Sequence, residues 1–70
     1  MEDHLDTIMT HIIESIRRAG YEPYDQLTAY LLTWDERYIT RNGNARQMIG
    51  RISRNELTSY IRNMRRNGVA

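Results

Sequence analysis

Apolar residues recur at helical spacing along almost the whole chain, and no segment shows the two-residue alternation of a strand. Leu5, Ile8, Met9, Ile12, Ile13 and Ile16 mark a first helix over residues 3–19. At 100° per residue they span an arc of about 140°, wider than one seam needs and broad enough to meet two partners. Asp3 and Asp6 fall at its start and Arg17 and Arg18 near its end, where the helix dipole favours each sign. Gly20 is the stop, because glycine takes the left-handed backbone position that other residues resist. Pro23 opens a second helix over residues 23–34, its missing N–H costing nothing in the first turn. Leu27, Tyr30, Leu31 and Trp34 form its inner stripe, and Leu32 lies off that stripe.

A single turn is expected over about Asp35 to Ile39, then a loop with Asn42-Gly43-Asn44 as its turn signal. Asn44 is placed to cap a third helix over residues 44–52, which carries Ala45, Met48, Ile49 and Ile52. Ser53-Arg54-Asn55-Glu56 reads as a capping box. It starts a fourth helix over residues 54–66, with Leu57, Tyr60, Ile61 and Met64 inward and Gly68 beyond its end. The expectation is an all-α fold: one domain over residues 1–70, a compact bundle of four to five short helices. Leu5, Ile12, Ile16, Leu27, Tyr30, Leu31, Trp34, Ile49, Leu57 and Ile61 are expected in the core or at a subunit contact.

Size adds a second expectation. A chain of 70 residues buries only about 60% of the surface its unfolded form exposes. There is no cysteine to staple it, so a homodimer is the natural way to gain the missing burial. No stretch approaches the roughly 18–20 apolar residues of a membrane span. No basic, apolar leader follows Met1, so the cytoplasm is the expected compartment.

Charge divides the chain. Residues 1–40 carry three arginines against eight acids, and residues 41–70 carry seven arginines against Glu56 alone. The halves therefore stand at −5 and +6, which sum to the net +1. All ten basic residues are arginine, whose planar fork pairs bidentately with carboxylates and phosphates. Either the basic half pairs with the acidic half, within or between subunits, or it faces an acidic partner.

Residue types that carry catalysis are scarce. His4 and His11 lie seven apart, roughly 10 Å along one helix, and no cysteine completes a metal set. They read as solvated. The pairs Glu2-Asp3 and Asp35-Glu36 sit at a terminus and in an exposed turn, without a pocket to shift a pKa. Gly43 and Gly50 are isolated, and no lysine follows to make a phosphate loop. No enzyme, cofactor or metal site is read here. A nucleic-acid-binding domain is the rival reading, with Arg46, Arg51 and Arg54, or Arg62, Arg65 and Arg66, on phosphates. Near-neutral net charge weighs against it, as does the absence of glycine from the turn between the last two helices.

Gly20-Tyr21, Pro23, Gln26, Tyr30-Leu31, Asp35, Tyr38-Ile39, Asn44-Ala45-Arg46, Ile49, Arg54 and Glu56-Leu57 occur in order and without gaps. This pattern resembles the IreB/ReoM family of small regulatory phosphoproteins of Gram-positive bacteria, over about Leu5 to Met64. The resemblance implies a helical homodimer with no catalytic activity. It implies action beneath a membrane Ser/Thr kinase with extracellular PASTA repeats and its partner phosphatase, in control of peptidoglycan synthesis and cephalosporin tolerance. The Clp protease machinery and a cell-wall enzyme are further partners it implies. Family phosphosites lie on threonines of a tail ahead of the first helix. Thr7 and Thr10 here fall inside the predicted helix, so no phosphosite is assigned. Ala29 and Trp34 stand where the family usually has glycine, Glu36 where it has proline and Asn55 where it has aspartate. Charge split and resemblance together select Arg41, Asn44, Arg46, Arg51 and Arg54 as partner-binding residues, with Asp35 and Tyr38 shaping the adjoining turn.

Overall fold

The computed structural model describes residues 4–64. Four α-helices follow in order: α1 (His4–Arg18), α2 (Pro23–Thr33), α3 (Ala45–Ile49) and α4 (Arg54–Met64). Two single 3-10 turns, Glu36–Tyr38 and Asn42–Asn44, fill the connection between α2 and α3. Among the described residues there is no strand. The expected start at Asp3, the stop at Gly68, and Arg65 and Arg66 lie outside the described residues.

Local chemistry sets the helix ends. Gly20 sits at φ +91°, and the Tyr21 N–H reaches back to the Ile16 carbonyl at 3.2 Å, closing α1. Glu22 caps α2 by accepting the Asp25 N–H at 3.1 Å ahead of Pro23. The capping box of α4 is complete. Ser53 Oγ accepts the Glu56 N–H at 3.1 Å, and Glu56 Oε1 accepts the Ser53 N–H at 3.0 Å. Asn44 differs from expectation. It precedes α3 at φ +62° and its side chain makes no cap bond; a capping side chain is ordinarily set by an extended backbone, which Asn44 does not adopt. The third helix is also shorter than its apolar pattern, ending at Ile49, and Ile52 enters the core from the turn that follows.

α2 ends on Trp34, a left-handed residue at φ +56° whose N–H bonds the Tyr30 carbonyl. That conformation costs a bulky residue about 1–2 kcal/mol. Two contacts offset the strain. The indole stacks on Tyr30 with ring centroids 4.6 Å apart, and the Arg54 guanidinium lies 5.2 Å over it.

Among the described residues, eleven buried apolar side chains form the core: Met9, Ile12, Ile16, Leu27, Tyr30, Ile39, Ala45, Ile49, Ile52, Leu57 and Ile61. α1 packs on α3 and on the 42–44 turn, while α2 packs on α4 and on the 36–38 turn. Leu5 and Leu31 are half-buried at the core's edge, and Trp34 is exposed. Ile39 is fully buried although it lies in a connection, and it anchors the whole loop to the core. Among the described residues the most exposed large apolar side chain is Leu32, at 76%. No helix of the described residues is long and apolar enough to cross a membrane.

Candidate functional site

The connection between α2 and α3 is held by bonds that are distant in sequence. Gln26 Oε1 on α2 accepts the Thr40 N–H at 3.0 Å. The Asn42 side-chain amide donates to the Ser15 carbonyl on α1 at 2.9 Å, and His11 Nε2 donates to the Gly43 carbonyl at 2.8 Å. His11 is therefore a strut for the loop as well as a solvent-facing residue, which corrects the reading of it as merely solvated. Gly43 adopts φ +59°, and a Cβ there would collide with the Ser15 hydroxyl. Only a glycine lets the turn lie this close to α1.

Arg46 is fixed from the other side. Its Nε–H donates to the Ile39 carbonyl at 3.1 Å. The two terminal amino groups of the guanidinium make no hydrogen bond or ion pair among the described residues. Arg41, Asn44 and Arg46 then line one open depression of about 330 Å³, together with Glu36 and Gln47. Asn44 contributes an amide not spent on capping, on a left-handed backbone of the kind that concentrates at functional sites.

Asp35 and Tyr38 line a second, smaller depression of about 250 Å³ with Arg37. Asp35 accepts the Arg37 backbone N–H at 3.0 Å, and its carboxylate forms an ion pair with the same arginine at 2.9 Å. The Arg37 side chain, then its backbone N–H, holds the Asp35 carboxyl below the usual range, and the more distant Arg46 acts in the same direction. Burial raises the Tyr30 hydroxyl above its usual pKa, with the Glu36 charge adding to the effect.

The other two selected arginines lie elsewhere. Arg54 Nη2 donates to the Leu31 carbonyl at 3.1 Å while its plane covers Trp34, so its fork is partly committed to the α2–α4 contact. Arg51 is exposed in the turn between α3 and α4, outside both depressions. Sequence reasoning missed Glu36 and Gln47. The signal available for Glu36 was its place beside Asp35 in a turn, and for Gln47 its place one residue after Arg46 at the start of α3.

Among the described residues the one ion pair, Arg37–Asp35, is local to the acidic half. Among the described residues, Arg41, Arg46, Arg51, Arg54 and Arg62 of the basic half form no ion pair with an acid. No group of three or more His, Cys, Asp or Glu placed to hold a metal occurs among the described residues.

The family model described as IreB regulatory phosphoprotein matches residues 1–65. The chain belongs to that family.

Proposed function

We propose that this member of the IreB family regulates by binding, without catalysis, and that the depression on the α2–α3 connection is where it holds an acidic protein partner. The chain works as a homodimer in the cytoplasm, downstream of a PASTA-domain Ser/Thr kinase and its phosphatase. Its partner there is a cell-wall enzyme or the Clp machinery, and the output is control of peptidoglycan synthesis and cephalosporin tolerance. Family membership supports the regulatory role. The observation that carries the binding face is the convergence of Arg41, Asn44 and Arg46 on one depression. Arg41 supplies an exposed charge, Arg46 a guanidinium tied at Nε to the Ile39 carbonyl and Asn44 an amide, which together suit a carboxylate-bearing segment.

Arg41→Ala is the cleaner test. The Arg41 side chain makes no hydrogen bond or ion pair among the described residues, whereas Arg54→Ala would also loosen α2 from α4. Immobilised wild-type and variant chains are presented with the purified Clp chaperone subunit and with the first committed enzyme of peptidoglycan synthesis. Arg41→Ala should weaken the captured partner about ten-fold, roughly 1.4 kcal/mol, with the circular dichroism unchanged. Capture unaffected by Arg41→Ala and by Arg46→Ala together refutes the binding face. Association with random duplex DNA that falls steeply with salt would favour the nucleic-acid reading instead.

A further inference from the structure

We infer that Glu36 is a specificity-determining residue of the depression: it admits side-chain carboxylates of an acidic peptide and disfavours phosphate dianions. The inference rests on the acidic-partner reading above and narrows it to a class of anion. Arg41 and Arg46 bring two positive charges to the depression, and Glu36 brings one negative charge to the same lining. The local sum is +1. A single carboxylate neutralises it, whereas a phosphate monoester near −2 at neutral pH overshoots it and meets Glu36 as a like charge.

Placement supports the role. Glu36 opens the 36–38 turn, is exposed, and its side chain takes no partner among the described residues. Its carboxylate lines the same depression as Arg41 and Arg46 and forms no ion pair among the described residues. The turn itself is closed by backbone: the Tyr38 N–H meets the Asp35 carbonyl at 3.1 Å and the Ile39 N–H meets the Glu36 carbonyl at 2.9 Å. A neutral isostere at position 36 therefore changes the field and leaves the scaffold in place.

The two neutral amides of the lining complete the picture. Asn44 and Gln47 are exposed and bond equally well to the carboxylate or to the peptide groups beside it. Neither carries charge to offset the clash between Glu36 and a dianion.

The test compares wild type with Glu36→Gln in amide-resolved NMR titrations at mildly alkaline pH, using a terminally blocked peptide with a single Glu side chain and inorganic phosphate as probes. Wild type should shift residues 36–47 with the peptide and bind phosphate far more weakly. Glu36→Gln should narrow the peptide-to-phosphate affinity ratio by roughly five-fold, the effect of removing one like charge at close range in a partly screened site. An unchanged ratio with peptide binding intact overturns the inference and leaves the acidic-partner reading standing. A gain of phosphate binding in Glu36→Gln without peptide binding to either chain refutes the acidic-partner reading and, with it, the preference for carboxylates. No binding of either probe to either chain refutes both.

Discussion

Gly43→Ala is the sharpest test of how the candidate site is held. Two costs add at this position. The left-handed backbone at φ +59° disfavours alanine by about 1 kcal/mol. The new methyl meets the Ser15 hydroxyl and comes 3.1 Å from Ser15 Cβ. Ser15 is only 4% exposed, so it has little room to retreat, and overpacking of this kind costs about 1–3 kcal/mol. The sum is roughly 2–4 kcal/mol, a large share of the 5–15 kcal/mol that holds a typical domain. Gly20→Ala is the control. It sits at φ +91° with nothing within 4 Å of the added Cβ, so it bears the backbone cost alone. Urea unfolding followed by circular dichroism gives both values. Pairing Gly43→Ala with Ser15→Gly, which removes the obstructing side chain, should recover more than Ser15→Gly costs alone, as a double-mutant cycle would show. If Gly43→Ala costs no more than Gly20→Ala, the close approach of the loop to α1 is wrong.

Other expectations are more local. Ser53→Ala removes the acceptor for the Glu56 N–H and should destabilise by about 1 kcal/mol in thermal melts. Trp34→Gly relieves a left-handed residue but loses the Tyr30 stack and the Arg54 contact. These effects offset, so the change should stay within about 1 kcal/mol of zero, and a loss above about 3 kcal/mol would mean that the strain is absent. Asp35 has a lowered carboxyl pKa in the fold. Its contribution is therefore complete above the ordinary carboxylate pKa and fades as pH falls through the lowered one. Asp35→Asn should flatten the acid side of the stability curve and leave the neutral-to-alkaline side parallel to wild type, as denaturant titrations from neutral to acid pH will show.

What could be read from the sequence was what neighbours decide among themselves. Gly20, Pro23 and the Ser53/Glu56 pair announce helix ends because each acts on backbone within four residues. The stripes of α1, α2 and α4 follow from periodicity alone. Arg41, Asn44 and Arg46 were legible as candidates, but the supports of their site were not, because they join positions 14 to 32 residues apart: Gln26 to Thr40, Ser15 to Asn42 and His11 to Gly43. No spacing rule links such residues. Ile39 shows the same limit, since one apolar residue in a connection has no period to reveal that it is fully buried. Trp34 is the reverse case. An aromatic at the end of an apolar stripe reads as core or as a subunit contact; within the one chain, the left-handed backbone leaves it exposed, stacked on Tyr30 and under Arg54.

The struts beneath the 40–46 segment have an evolutionary corollary. They come from His11, Gln26, Asn42 and Arg46, which grip main-chain atoms at Gly43, Thr40, Ser15 and Ile39. Positions 36, 41 and 47 take no part in that grip, so their side chains are free to drift without endangering the architecture. Successive descendants of such a chain can therefore change allegiance one exposed residue at a time, keeping the chassis and rewriting only its address label.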